Sequence, residues 1–293
     1  MKQNPSTPNI LRPGSTGANV VQLQTLLNKH GATLKVDGQF GPTTKAAVLA
    51  FQKDKRLVVD GIVGGQTWEA LAGKAQAWPS ETVDLGERKP EIYPLNNGQY
   101  VESFTRKRQI VLHHTAGGPD PIGSINWWNS NREPVATAFV IGGTGKKDGT
   151  VVQCFDDRMW AYHLGTNART DALGVGIEIC NWGYLTQTAD GRFVNYVGGY
   201  VNEKNVVELE TPWRGFKFWH AYTPAQLEAT ADLVRALAKR WNIPLPKRVG
   251  LDWFALNTAA QDGAAGLWHH ANFRADKTDL NPQPALIEML NSL

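Results

Sequence analysis

The stretch RQIVLHHTAGG, residues 108–118, joins an apolar run to two adjacent histidines and a turn of small residues. A short apolar run that is bounded by turn residues predicts a buried β-strand. The pair, His113 and His114, would then stand at the end of that strand beside a flexible turn. Two interpretations are open. Either one imidazole is buried and the other is solvated, or one of them holds a metal ion whose other ligands come from elsewhere in the chain.

The residues that follow this strand alternate between strand and helix patterns. ATAFVIGG and TVVQCF flank a Gly-Lys-Lys-Asp-Gly turn, which predicts a β-hairpin. GVGIEICNWG predicts a further strand, and TPAQLEATADLVRALAKRWNIP predicts a helix that Thr223 caps and Pro224 begins. Residues 184–222 are rich in aromatic side chains, and we expect hairpins and loops there. Strands mixed with helices predict an α/β domain in which helices flank a mixed β-sheet.

The residues before the strand predict a separate small module. GANVVQLQTLLNKHG places apolar side chains on one helical face and ends near Gly31. Two related phrases follow, VDGQFGPTTKAAVLAFQ and VDGIVGGQTWEAL, each with an Asp-Gly turn and then a helical segment that Pro42 begins in the first case. We therefore expect an all-α three-helix module over 10–72, a linker over 73–100 and the α/β domain over 101–293.

The segments before and after this module lack a regular pattern. Residues 1–9 are polar with two prolines, which predicts a loose tail. The linker is rich in proline and lacks a sustained period, although Trp78, Ile92 and Tyr93 are candidates to dock on a neighbouring domain.

Composition narrows the class of protein. A length of 293 residues allows about two domains, and 42% hydrophobic with 19% charged residues is typical of a folded chain. A net charge of +3 suits an anionic polymer but is too small to favour nucleic acid. The spacing of Cys154 and Cys180 does not indicate a disulfide framework, so we expect two free, buried thiols.

Targeting signals are not evident in the sequence. The N-terminus lacks the apolar core of a signal peptide, and no run of about 20 apolar residues predicts a transmembrane helix. We expect a chain that is made in the cytoplasm, does not insert stably into membranes, and needs another route if it acts outside.

Two segments resemble known families. LRPGSTGANVVQLQTLLNKHG and the two Asp-Gly phrases resemble the peptidoglycan-binding domain of bacterial and phage wall hydrolases, which implies a non-catalytic anchor; a helical cap that serves only the larger domain is the alternative. Residues 101–293 resemble the zinc-dependent N-acetylmuramoyl-L-alanine amidases. The matching phrases occur in the family's order: IVLHHTAG, KDGTVVQCFDDRMWAYHLG, GVGIEICNWG, YTPAQLEATADLVRAL and HHANFRADKTD.

The amidase resemblance implies a zinc site with three protein ligands and one position open for water. Following the family's pattern, His113 of HHTAG is the first ligand, His269 of HHANFRADKTD is the second and Asp279 is the third. The neighbours His114 and His270 are then oriented by other contacts, or they support the ligands from behind.

The resemblance also implies catalytic roles. Glu178 in GVGIEIC matches an acid of the family and is the candidate general base, because a lone carboxylate among apolar residues is costly to bury unless it faces a cleft. Lys277 matches a lysine that is thought to stabilise the tetrahedral oxyanion in bacterial relatives. His163 in WAYHLG is predicted to contact substrate or to support a metal ligand, and His114 is a further candidate for substrate contact. The structural alternatives are an ion-paired core acid, a solvated lysine and packed histidines.

Taken together, the resemblance implies a hydrolase that uses Zn²⁺ to cleave the amide between N-acetylmuramic acid and L-alanine of peptidoglycan. A phage endolysin released through a membrane lesion fits the missing signal peptide, and a bacterial enzyme with a dedicated export system is the alternative. Two further alternatives are a non-catalytic peptidoglycan recognition protein and an enzyme that cuts within the stem peptide. Peptidoglycan is the expected partner of a chain that we predict to be monomeric and not to bind nucleic acid.

Overall fold

The computed structural model of the protein describes residues 10–55, 57, 59–73 and 83–293. Their contacts divide the chain into two units, one within Met1–Trp78 together with Ser103–Arg106, and one formed by Pro79–Glu102 and Lys107–Leu293. The predicted tail over 1–9 and the predicted docking of Trp78 lie outside the described residues.

The first unit contains the three predicted helices, α1 (Ala18–Lys29), α2 (Pro42–Asp54) and α3 (Gly65–Leu71). Apolar side chains at helical spacing turn inward from α1 and α2 and form one core with those of the turns. The buried members of this core are Leu11, Val20, Leu23, Leu27, Phe40, Val48, Phe51, Leu57, Val63 and Leu71. The prediction of an all-α module is confirmed.

A buried glutamine from the preceding helix holds each Asp-Gly turn of this unit. The Gln24 amide nitrogen donates to the Asp37 carboxylate at 2.9 Å, and its Oε1 accepts from the backbone N–H of Gly38 at 2.9 Å. Gln52 makes the equivalent two bonds to the second turn, at 2.8 Å and 2.9 Å. Gly38 has φ 71°, a backbone conformation that favours glycine. The two related phrases in the sequence thus form turns that are held by the same pattern of hydrogen bonds from a glutamine.

The second unit is built on a six-stranded mixed sheet in the order β1-β4-β3-β5-β2-β11. Its strands are β1 (Glu91–Ile92), β2 (Gln109–His114), β3 (Phe139–Ile141), β4 (Val151–Gln153), β5 (Gly174–Ile179) and β11 (Gly266–His269). β3 and β4 form the predicted antiparallel hairpin, while β2 lies parallel between β5 and β11. All six residues of β2 are buried, which accounts for its continuous apolar run.

Part of the predicted linker belongs to this sheet. β1 runs parallel to β4 at the sheet edge, and the backbone N–H of Tyr93 continues the pairing by donating to the Gln153 carbonyl at 3.1 Å. The Tyr93 hydroxyl donates to the Asn126 side chain at 3.0 Å. A two-residue strand is too short to leave a periodic pattern, so the sequence of this stretch resembles that of a linker.

The aromatic-rich segment forms a second, antiparallel sheet in the order β8-β7-β6-β10-β9. Its strands are β6 (Tyr184–Gln187), β7 (Phe193–Val194), β8 (Tyr200–Val201), β9 (Val206–Trp213) and β10 (Phe216–His220), with a 3₁₀ turn at Glu203–Asn205. Ring contacts such as Tyr184 on Phe216, with centroids 3.8 Å apart, pack the strands together. The expected hairpins are therefore present.

The remaining helices flank the main sheet and confirm the α/β prediction. They are α4 (Pro121–Ser130), α5 (Ala168–Leu173), α6 (Pro224–Trp241), α7 (Thr258–Gln261), α8 (His270–Phe273) and α9 (Pro284–Asn291), with a 3₁₀ segment at Gly250–Phe254. α6 packs on β2 and β3, and α9 packs on α6. α6 begins with a capping box in which the hydroxyl of Thr223 accepts from the backbone N–H of Gln226 at 3.0 Å.

The two cysteines and the lengths of the helices bear on two further predictions. Cys154 and Cys180 are free and buried, as expected, and burial raises the pKa of Cys180 to about 12, so its thiol stays protonated. Within the described part of the chain, no helix combines the length and the apolar content that a membrane crossing needs.

Candidate metal centre and cleft

The register of the parallel strands decides which side chains meet at their carboxyl ends. His113 of β2 lies opposite Glu178 of β5, and Leu112 lies opposite His269 of β11. Residues that pair across neighbouring strands share a face, and successive residues alternate between faces. His269 therefore faces away from His113, whereas His270, one residue further along, returns to the face of His113.

Two imidazoles and one carboxylate converge at this edge of the sheet. The Nδ1 atoms of His113 and His270 are 3.1 Å apart, and they lie 3.1 Å and 3.0 Å from Oδ2 of Asp279. Among the residues that the structure describes, these three form the one group of His, Cys, Asp or Glu side chains whose ligand atoms all lie within 4.8 Å of one another. Two nitrogens and one carboxylate oxygen are a donor set for a divalent transition metal.

The hydrogen-bond pattern of His270 supports this interpretation. Its Nε2 lies 2.9 Å from the carbonyl oxygen of Leu164, which can only accept, so the single proton of a neutral ring resides on Nε2. Nδ1 then presents a lone pair to the Asp279 carboxylate at 3.0 Å. Two lone pairs at this distance repel each other unless a cation lies beside them, so the cluster is arranged for an ion.

The protonation states also suit metal ligation. Burial lowers the pKa of His113 to about 4, which keeps the ring neutral and able to donate a lone pair. Burial alone would raise the pKa of Asp279, but the adjacent imidazoles of His270 and His113 hold it below its ordinary value. The cluster therefore offers a neutral His113 ring and an ionised carboxylate near neutral pH.

His269 lies in an aromatic environment instead of at the cluster. Its ring is nearly parallel to that of Trp253, with centroids 5.9 Å apart, and it contacts Phe254 with centroids 4.9 Å apart. The structure does not bring His269 to His113 and Asp279, and we replace it by His270 in the proposed ligand set. Spacing to Asp279 could not separate two adjacent histidines, because the choice depends on the register of β11 against β2.

Glu178 lines an open cleft of about 530 Å³ beside the turn that follows β2. Its Oε2 is buried and has no hydrogen-bond partner among the described residues. Burial raises the pKa of Glu178 well above its ordinary value, the Asp279 charge raises it further, and the Lys277 charge opposes both effects. The structure thus places a carboxylate with a high proton affinity on the same sheet edge as the cluster, and its role as general base stays a prediction.

Lys277 lies two residues before Asp279 and is half-buried. The guanidinium of Arg214, from the turn between β9 and β10, donates hydrogen bonds to the backbone carbonyls of Ala275 and Lys277. The second sheet therefore helps to hold the segment that carries both Lys277 and Asp279. Because the Lys277 charge acts on both His113 and Glu178, it is near enough to stabilise negative charge there, and that role also stays a prediction.

His163 and His114 are buried, and neither lines the cleft described above. Nδ1 of His163 lies 2.9 Å from Nε2 of His113, so it contacts the outer side of a proposed ligand. Nδ1 of His114 lies 3.2 Å from the Tyr222 hydroxyl. The contact with His113 favours the supporting role of His163 over substrate contact, and the described contacts of His114 lead to Tyr222.

Sequence reasoning missed one residue behind these histidines. Asp171 is buried, and its Oδ1 accepts from the backbone N–H groups of His163 and Leu164 at 2.9 Å and 2.8 Å. It thereby fixes the short segment that contacts both His113 and His270. No motif marks Asp171, because its function depends on backbone contacts rather than on spacing.

Comparison with known proteins finds two families along the chain. Residues 16–71 match the family described as a putative peptidoglycan binding domain, and residues 103–284 match the N-acetylmuramoyl-L-alanine amidase family. The chain is similar to the zinc D-Ala-D-Ala carboxypeptidase of Streptomyces albus G, with 47% identity over 64 residues that cover 21% of this chain and 25% of that protein. It is also similar to the N-acetylmuramoyl-L-alanine amidase CwlL of Bacillus licheniformis, with 38% identity over 100 residues, 32% of this chain and 26% of that protein.

Other relatives are matched over part of their length as well. The spore cortex-lytic enzyme of Bacillus cereus is 37% identical over 117 residues, which cover 35% of this chain and 44% of that protein. The chain thus spans less than half the length of these curated relatives. Among solved structures, the Burkholderia AP3 phage endolysin is 45% identical with a TM-score of 0.22, and the match covers 22% of this chain and 25% of that one.

Proposed function

The chain belongs to the N-acetylmuramoyl-L-alanine amidase family, and from this premise we propose that it hydrolyses the amide between N-acetylmuramic acid and L-alanine in peptidoglycan. Both resemblances found in the sequence are confirmed by the family matches over 16–71 and 103–284. One observation carries the proposal. The side chains of His113, His270 and Asp279 converge at the sheet edge where Glu178 lines an open cleft.

We propose Zn²⁺ as the ion that this cluster holds. Two imidazole nitrogens and one carboxylate oxygen are the donor set that zinc hydrolases use, so His113, His270 and Asp279 would hold the ion. When bound, zinc would supply a Lewis acid for the scissile carbonyl and a water that is acidic enough to react near neutral pH.

The protein's own groups would move the protons. We propose that the Glu178 carboxylate takes a proton from the attacking water at Oε2 and delivers it to the nitrogen of L-alanine as the C–N bond breaks. The raised pKa of Glu178 favours holding that proton between the two steps. The Lys277 ammonium would stabilise the negative charge that develops on the carbonyl oxygen. The Leu164 carbonyl, by holding Nε2–H of His270, would keep Nδ1 aimed at the cluster.

The first unit fits this function as an anchor. A wall-binding module would keep the catalytic unit near an insoluble substrate and raise its effective concentration there. The role that fits best is that of a phage endolysin acting on the host wall. A chain that recognises peptidoglycan without cutting it would have no use for three converging ligands beside an unpaired carboxylate, so the catalytic proposal is favoured.

The experiment is a digestion of purified cell walls that follows the appearance of new N-termini. We expect N-terminal alanine to appear, a chelator to stop its release, and added zinc to restore it. Glu178→Gln should still bind zinc but release alanine at least about 100-fold more slowly, because it cannot accept the proton. Release that persists without metal, a different new N-terminus, or wall binding without cleavage would each contradict the proposal.

A further inference from the structure

The cleft beside Glu178 has walls made of aromatic rings. Trp127 and Trp128 of α4 line one part, and Trp182 and Tyr196 line another. Trp127 and Tyr196 are 59% and 54% exposed, so together they present apolar ring surface to solvent at one cleft. We define these four rings, with Glu178 at their base, as the aromatic groove.

The position of Tyr196 is fixed by its own turn. Tyr196 lies in the connection between β7 and β8, and the buried Asn195 side chain accepts from the backbone N–H groups of Val197 at 3.2 Å and Gly199 at 2.8 Å. The Tyr196 ring meets Trp182 edge-on, with centroids 6.3 Å apart. These hydrogen bonds hold the turn that presents the exposed Tyr196 ring at the groove.

The charged side chains that line the groove indicate which class of ligand it can bind. Asp120 and Glu178 are the only charged side chains among the described residues that line it, and Asp120 Oδ1 already caps α4 by accepting from the N–H of Ile122 at 3.0 Å. A stem peptide carries carboxylates, and the described lining residues include no cation that could pair with them. The cations Lys277 and Arg214 act on the segment with Asp279 and do not line the groove.

We propose that the aromatic groove binds the uncharged sugar rings of the glycan strand, on the muramoyl side of the scissile amide. Pyranose rings present apolar C–H faces that pack flat on tryptophan and tyrosine, and this contact needs no charged partner. Glu178 lines the groove and lies opposite His113 in the sheet register, which places the groove beside the strand that carries a proposed ligand. The proposal rests on the proposed amidase function, because that function gives the order of sugar, scissile bond and peptide along the substrate.

The test uses two probes that need no turnover, a neutral tetramer of N-acetylglucosamine and a free stem tripeptide, each titrated into the zinc-loaded full chain. We expect Tyr196→Ala and Trp127→Ala each to weaken tetramer binding by on the order of tenfold and to leave tripeptide binding unchanged. Tyr196→Phe should retain the wild-type affinity, because it keeps the ring. Tyr200→Ala is the matched control, since Tyr200 is 63% exposed on the same hairpin but does not line the groove.

The outcomes distinguish this inference from the proposed function. If Tyr196→Ala leaves tetramer binding unchanged, or weakens tripeptide binding instead, the sugar site is overturned. This holds even if wall digestion releases N-terminal alanine. Conversely, a chain that loses tetramer binding with Tyr196→Ala but releases no alanine supports the sugar site and contradicts the amidase. On muropeptide substrate we expect Tyr196→Ala to raise KM by a similar factor with kcat retained.

Discussion

At the scale of single residues, the chemistry of this protein depends on which of two adjacent histidines turns toward Asp279. His270 does so, and His269 packs against Trp253 and Phe254. The difference is the alternation of side chains at the end of a strand, where one step along the chain changes the face. Identical side chains one residue apart are therefore expected to have separable roles.

Substitution of the two histidines tests this separation. We expect His270→Ala to lose zinc on dialysis, because only two ligands remain. His269→Phe should retain one zinc per chain, because a ring of similar size stays in the aromatic environment. Metal analysis of both variants beside the wild type is the measurement. The reverse pattern, in which zinc is lost with His269→Phe and kept with His270→Ala, would restore the assignment made from the family's pattern.

Asp171 acts on the metal centre without touching it. Its carboxylate holds the backbone of His163 and Leu164, and these two residues contact His113 and His270 from outside the cluster. We expect Asp171→Ala to weaken zinc binding by about 10- to 100-fold, as loss of such supporting contacts commonly does. Asp171→Asn keeps an acceptor oxygen and should retain most of the affinity. Competition titrations with a zinc indicator measure this, and equal losses for both variants would show that the charge, and not the acceptor, is what matters.

At the scale of elements, most of the architecture could be predicted because long patterns specify it. The apolar run of β2, the hairpin of β3 and β4, and the capped amphipathic helix α6 each carry a local signal that the structure confirms. β1 could not be predicted, because two residues carry no period. The convergence of His270 with Asp279 was not predicted for a different reason, since it depends on how β11 pairs with β2 across a long sequence separation.

Gln24 and Gln52, which hold the two Asp-Gly turns of the first unit, allow a prediction about the stability of that unit. Gln24→Ala removes the bonds to the turn at Asp37 and Gly38 and leaves the buried N–H of Gly38 unpaired. The free energy of unfolding of this unit should fall by about 1–3 kcal/mol. Gln22→Ala is the control in the same helix, because Gln22 is exposed and alanine favours a helix. Hydrogen exchange of the α1 amides measures the difference, and equal protection in the two variants would contradict this role of Gln24.

At the scale of the whole molecule, the chain forms two units for which we propose different functions, wall binding and catalysis. The first has a hydrophobic core of its own, and the second carries the candidate metal centre and the cleft. The residues from 83 to 100 belong to the second unit, although their composition is that of a linker, and the domain boundaries given from the sequence stay a prediction.

Removal of the first unit tests this division. A chain that begins at Val83 should cleave a soluble muropeptide at the rate of the full chain, since it keeps the proposed ligands and Glu178. Its digestion of intact walls at low enzyme concentration should fall by on the order of tenfold or more, because the local concentration supplied by the anchor is lost. Parallel assays on the two substrates make the comparison. Equal rates on intact walls would mean that the first unit is not the anchor.

The central claim is that His113, His270 and Asp279 hold one zinc ion between them. Anomalous diffraction at the zinc edge from crystals of the zinc-loaded protein tests it most directly. We predict a single strong peak in the catalytic unit, bonded to Nδ1 of His113, Nδ1 of His270 and Oδ2 of Asp279 at about 2.0–2.2 Å. A peak that includes His269 in place of His270, or no peak among these side chains, would contradict the account.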